Sequence, residues 1–142
     1  MSKPIYTSSA DAEAAFYDAL ARSDLDKMMS VWAEDDEVVC IHPGGPRLVG
    51  LSDIREIWRQ MMANGARLDI AVSQAVVTGN AMMAVHSVFE RITINEARRR
   101  SPLIAATNIY LRGALGWRMV MHHASPVPNN DPLADLTPHT VH

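Results

Sequence analysis

The chain has 142 residues, 13 Lys and Arg against 16 Asp and Glu, and a formal net charge of −3. That length fits one domain, and 48% apolar with 20% charged residues is enough for a core and excludes wholesale disorder. An isoelectric point near 6.0 removes the basic face that nucleic-acid binding needs, so no nucleic-acid partner is expected.

The first residues, MSKPIYTSSADAEAA, lack the apolar stretch of a signal peptide. No apolar run approaches the roughly 20 residues of a membrane span, so a cytoplasmic protein without a membrane partner is expected. Ser8-Ser9-Ala10-Asp11 starts a helix, because Ser and Asp cap free amides. Ala15, Phe16 and Leu20 then fall near one stripe. Ser23-Asp24 breaks the helix and caps a second, in which Leu25, Met28, Met29 and Trp32 recur at three to four residues. The β-branched run VVCIH ends at His42-Pro43-Gly44-Gly45-Pro46, where Pro and Gly force a turn, and RLV completes a small hairpin over 37–49. Cys40 is the sequence's single cysteine, which excludes an internal disulfide and a cysteine metal framework; it reads as a small buried hydrophobe.

Ser52-Asp53 caps a third helix that closes at Asn64-Gly65. Beyond it the chain is strand-rich. ARLDIAVSQAVVT turns at Gly79-Asn80 into AMMAVHSVFERITI. A loop over 95–101 follows, with the solvated run Arg98-Arg99-Arg100. PLIAATNIYLRG and WRMVMHHAS are further strands, joined by a turn from Gly113 to Gly116. After Pro126 the proline-rich, aperiodic composition predicts an extended or mobile tail over 127–142, beyond a single domain over 1–126. Three helices followed by a meander of long antiparallel strands give an α+β domain. A strongly curved sheet closed by helices leaves a cone-shaped cavity, a natural ligand site.

The stretch VWAEDDEVVCIHPGGPRLVG and the end TNIYLRGALGWRMVMHHASP resemble the NTF2-like superfamily, in particular its SnoaL-like bacterial branch, over about Ser8 to Pro126. The resemblance implies a cone of a curved sheet and three helices, commonly a homodimer through the convex sheet face. The functions it implies range from isomerases, dehydratases, cyclases and epoxide hydrolases to non-catalytic association domains, and fold alone does not select among them. By the same resemblance, the general base of the ketosteroid isomerases falls on His42, before Pro43. Their buried carboxylic-acid donor falls on Asn108, eight residues before Gly116. Their catalytic Tyr falls on Phe16, with Tyr17 about 100° around the helix. Base and donor are therefore kept and the principal phenol is lost.

His42 has an ordinary pKa near neutrality, about 6.5, and suits a base. The Asn108 amide is a donor that needs no unusual protonation. Together they suit proton abstraction beside a carbonyl, or water activation. The bland alternative for His42 is a backbone-bonded turn histidine. His122 and His123 are strand neighbours and face opposite sides. Strict alternation groups Trp117, Met119, Met121 and His123 against Arg118, Val120 and His122; both faces are mostly apolar, so the sequence leaves open which imidazole lines the cavity, and His123 is taken as the second acid/base. Phe16, Trp32, Trp58, Glu90 and Trp117 are the expected pocket residues, with Met pairs filling the walls. His86 and Glu90 share a strand face and read as a polar pair. His42, His122 or His123 and Glu90 offer ligand types but no HxH or HExxH spacing, so neither metal nor cofactor is expected. The function expected is binding of a small, largely apolar or carbonyl-bearing molecule with cofactor-independent acid–base catalysis. The alternative is an association module.

Overall fold

A computed structural model describes residues 3–94 and 99–128. The 127–142 tail expected from the sequence lies, from residue 129 onward, outside the described residues. Helices α1 (Ser9–Arg22) and α2 (Leu25–Val31) form a hairpin, and α3 (Leu51–Met61) follows the short strands β1 (Val39–Ile41) and β2 (Arg47–Val49). The caps are local chemistry. Ser8 Oγ accepts the Asp11 N–H at 3.0 Å, and Asp24 Oδ1 accepts the Lys27 N–H at 3.0 Å. Ser23, in the left-handed region at φ 52°, makes the tight link between them. The third helix differs from expectation. It starts one residue after Gly50, at φ +95°, with no side-chain cap, and Asp53 sits in the first turn where the helix dipole favours an acid.

Strands β3 (Leu68–Gly79), β4 (Met83–Ile94), β6 (Ile104–Gly113) and β7 (Gly116–Pro126) form the meander. The sheet order is β2-β1-β7-β6-β4-β3, with β5 (Arg99–Arg100) paired to the end of β4. Every pairing is antiparallel except β1 with β7. The α+β cone expected from the sequence is what forms: a curved, unclosed sheet with helices on its concave side.

Alternation decides which side chains face the helices. On β4, Ala84, His86, Val88 and Glu90 are buried; on β6, Ile104, Ala106, Asn108 and Tyr110 are. Ala12, Ala15, Phe16 and Ala19 of α1 are buried against them, and the small residues bring the helix close to the sheet. In β7 the alternation breaks. Tyr110 pairs with Met119 but Ile109 pairs with Met121, so Val120 is an extra residue, a β-bulge. At the start of β7 the N-terminal segment runs against the sheet. The Trp117 N–H donates to the Tyr6 carbonyl at 2.9 Å, Arg118 Nη2 donates to the Pro4 carbonyl at 2.8 Å, and Tyr6 Oη meets Ser30 Oγ at 2.8 Å. Gly116, at φ +90°, permits this, because a Cβ there would lie 2.7 Å from the Tyr6 oxygen. No described helix is long and apolar enough to cross a membrane.

Candidate functional site

One lateral row of partners crosses the sheet: Cys40 of β1, His122 of β7, Asn108 of β6 and His86 of β4. Directly paired residues point to the same face, so all four side chains aim into the cone. All four are buried. Helix α1 answers with Ser9, Glu13 and Tyr17, spaced by four and hence on one stripe.

The two sets lock together. Asn108 Nδ2 donates to Glu13 Oε1 at 2.9 Å and to the Tyr17 hydroxyl oxygen at 3.0 Å. Tyr17 donates its own proton to Glu90 Oε2 at 2.5 Å. Tyr110 donates to Glu13 Oε1 at 2.9 Å. His86 Nδ1 lies 2.9 Å from Glu13 Oε2, and His86 Nε2 lies 2.9 Å from Ser9 Oγ. His122 Nδ1 lies 2.6 Å from Asn108 Oδ1. An amide oxygen only accepts, so Nδ1 of His122 carries the proton and the neutral ring leaves Nε2 as a bare acceptor. Asn108 commits both N–H groups and its oxygen within the protein. A network satisfied this fully is how polar groups survive in an apolar core.

At one end of the row lie the less committed groups. His42, half-buried, stands edge-on to Trp58 with ring centres 4.6 Å apart, and 6.0 Å from the His122 ring. Its nitrogens meet only the Cys40 sulfur, at 3.8 and 4.0 Å, among the described residues. Phe16 closes the other side, 5.7 Å from Trp58 and 4.9 Å from His122. Trp58 is 1% exposed, and its indole N–H has no acceptor among the described residues. Such an orphan donor costs about 1–3 kcal/mol unless something accepts from it.

Burial shapes the titration. It lowers the His42 pKa, and with the neighbouring His42 and His123 it takes His122 down to about 3. Both imidazoles are therefore neutral at pH 7. Burial raises Glu90, against the donated Tyr17 bond and helped by nearby Glu13. Burial first, then the adjacent carboxylates, raises Tyr17 and Tyr110. Cys40 is pushed up to about 12 by burial alone and stays a thiol.

The structure sorts the expected site residues. His42 and Asn108 lie on the same face and connect through His122; Phe16 and Trp58 join them, and Glu90 joins through Tyr17. Trp32 packs away from them, beside Met119, and Trp117 sits at the start of β7 beside a separate cavity. His123 does not belong to the site. It is exposed on the opposite face, because the Val120 bulge reverses alternation and turns His122 inward instead. Position 16 holds a Phe, and the adjacent Tyr17, placed about 100° around the helix, nevertheless reaches the same face. Phe16 and Tyr17 are both buried, and Tyr17 delivers its hydroxyl to Asn108 and Glu90. His86 and Glu90 share a face as expected but bond to different helix residues. Glu13, Tyr110 and the His86–Ser9 contact were not foreseen; the four-residue spacing of Ser9, Glu13 and Tyr17 is the signal that carried them. Among the described residues, His, Cys, Asp and Glu do not gather into threes that could hold a metal ion. The expected cone-shaped cavity is occupied near His42 by the rings of Phe16, Trp58 and His122.

A SnoaL-like domain profile matches residues 10–130. No curated protein matches the sequence. Among solved structures, a Thiobacillus denitrificans protein named as a candidate calcium/calmodulin-dependent protein kinase type II association domain is 42% identical. The match covers 88% of this chain and 99% of that one, with a TM-score of 0.81. A candidate dehydratase of the NTF2-like family from Streptomyces avermitilis is 29% identical over 84% of this chain and 94% of its own, at a TM-score of 0.76. A candidate ketosteroid isomerase from Shewanella frigidimarina, 17% identical over 81% and 92% with a TM-score of 0.67, shares the fold alone.

Proposed function

Because the chain belongs to the SnoaL-like family and folds as an NTF2-like cone, we propose that it binds a small, largely apolar or carbonyl-bearing molecule at the His42 end of the concave face and moves a proton on it without a cofactor. One observation carries this reading: a buried donor with no acceptor among the described residues, Trp58 Nε1–H, stands beside two neutral imidazoles, and in one of them, His122, the Nδ1 proton leaves Nε2 as the acceptor. His42 is half-buried and the loop from Pro43 to Pro46 beside it is exposed, so this end of the row lies nearest to solvent.

The chemistry follows from roles. The indole N–H donates to a ligand oxygen, and its bond strengthens as that oxygen gains charge. His42 takes the proton from the carbon beside the carbonyl, and His122 Nε2 is the second acceptor, in the role first assigned to His123. Asn108 is a positioning residue: it fixes the His122 ring and tautomer. The test is exchange. Cyclohexanone in D2O should gain deuterium beside its carbonyl faster with the protein than with equimolar imidazole, read by NMR. His42→Gln should lower that rate on the order of 10²–10⁴-fold. Because burial lowers the His42 pKa, activity should hold below pH 6.5 before falling. Exchange no faster than imidazole, or an unaffected His42→Gln variant, overturns the catalytic reading.

A second reading, an association module, is favoured by the convex face. Val39, Ile109, Leu111 and Met121, together with Asp35 and Glu37, line a cavity there of about 300 Å³. Leu111 is exposed, and the Thiobacillus neighbour is named as a candidate association domain. A homodimer through this face is compatible with either reading.

A further inference from the structure

At the opposite end of the polar row from His42, Ser9, His86 and Glu13 stand in a line. Ser9 Oγ is 2.9 Å from His86 Nε2, and His86 Nδ1 is 2.9 Å from Glu13 Oε2. A carboxylate oxygen accepts, so Nδ1 carries the imidazole proton and Nε2 is the acceptor that faces the serine hydroxyl. Glu13 cannot swing away, because its other oxygen takes bonds from Asn108 and Tyr110. His86 is 3% exposed and its ring lies 4.9 Å from that of Tyr110, so the base is held too. Nucleophile, base and orienting carboxylate are thus connected in the order that activates a serine.

The serine is not sealed in. Ser9 is half-buried and lines a cavity of about 380 Å³ with Thr7, Val77, Thr78, Ala84 and Trp117. That volume and its mixed wall suit a short acyl group. Ser9 is also the first residue of α1. The Asp11 and Ala12 N–H groups are taken by Ser8. Those of Ser9 and Ala10 have no carbonyl behind them within the helix, so they are placed beside the nucleophile as donors for an oxyanion.

We propose that Ser9, His86 and Glu13 form a second active centre, separate from the His42 end, that hydrolyses small carboxylic esters through an acyl-serine. Ser9 Oγ bonds to the ester carbonyl carbon while its proton passes to His86 Nε2 and the carbonyl electron pair moves onto oxygen, facing the Ser9 and Ala10 N–H groups. The pair returns, the bond to the alcohol oxygen breaks, and the alcohol leaves with the proton from His86. Water then repeats the sequence, releasing the acid and restoring the Ser9 hydroxyl. Glu13 touches no substrate and acts as a positioning residue through His86.

The experiment uses p-nitrophenyl acetate on the full chain. The expected result is a burst of p-nitrophenolate and one acetyl group on the Ser9 peptide by mass spectrometry. Ser9→Ala removes both; the fold should survive because Ser8, not Ser9, caps the helix. His86→Gln keeps a side chain that hydrogen-bonds but no base, and should slow acetylation on the order of 10²–10⁴-fold. Acetyl found only on other residues, no acetyl at all, or an unchanged burst in Ser9→Ala overturns the proposal. None of these readouts depends on Trp58 or His42, so failure here is distinguishable from failure of the proton-transfer reading.

Discussion

Strands β4 and β6 present two unlike faces through alternate residues. Toward α1 they send His86, Glu90, Asn108 and Tyr110, polar or part-polar groups that are almost wholly shielded from water. Away from it they send Val85, Phe89 and Ile109, apolar groups left partly exposed. The usual arrangement is inverted at these positions. On the concave side the polar atoms are tolerable because each is bonded to another. On the convex side the apolar atoms gain nothing until something covers them. Polar burial makes the first face demanding of geometry, and apolar exposure makes the second demanding of a partner.

The largest effect should come from breaking the concave side at its centre. Asn108→Leu keeps size and apolar fit but leaves His122 Nδ1 without its acceptor and removes one bond each from Glu13, which keeps Tyr110 and His86, and from Tyr17, which keeps Glu90. Stranding the buried imidazole N–H should cost about 1–3 kcal/mol in urea unfolding. A loss under about 1 kcal/mol would show that the network re-forms without Asn108. Ile109→Lys, one residue along and facing the other way, should leave the fold within about 1 kcal/mol and abolish self-association. Light scattering should find the parent chain dimeric at micromolar concentration and this variant monomeric; a monomeric parent would remove the case for a convex interface.

Acid should sharpen the contrast with a smaller effect. His42 and His122 have folded pKa values below the unfolded 6.5, so the unfolded chain takes up more protons as pH falls. Their contribution to stability is intact above 6.5 and is lost progressively toward about 3, the value for His122. Glu90, raised by burial, acts in the opposite sense above its unfolded value. Two histidines against one carboxyl give a net fall in urea midpoint from pH 6.5 to 4.5. His122→Gln should flatten that slope, and an equal slope in that variant would show that the buried imidazole is not its source.

Much of this architecture was legible from local chemistry. Ser8 and Asp24 cap helices as their side chains suggest, and β4 and β6 alternate as their patterns require. The sheet row that gathers Asn108, His122 and His86 was not, because register is set by long-range pairing. Alternation alone leaves open which of His122 and His123 faces the cone; the extra residue at Val120 sets it, and nothing in WRMVMHH marks a bulge. Tyr17 was set aside on angular grounds. A helix flanked by Ala12, Ala15 and Ala19 sinks deep enough for two adjacent rings to be buried, so a step of 100° did not take Tyr17 out of the cone. The third helix took Gly50 rather than Ser52 as its boundary because the Gly50 N–H is already bound to the Val38 carbonyl at 2.9 Å.

Gly116 carries a consequence for which changes the chain can accept. The missing side chain there lets the N-terminal segment clip onto β7, with Tyr6 against Gly116 and Trp117 and Pro4 against Arg118. That clip ends just before Ser8, so it anchors the first turn of α1 and the aim of Ser9. A methyl group at position 116 would meet the Tyr6 oxygen at 2.7 Å and the Ile5 side chain at 2.9 Å, at a φ that side chains resist. The strand itself would still pair with β6. What would drift is the far end of the chain, so a one-carbon change in a hairpin turn sets the tolerance of a serine that it never touches.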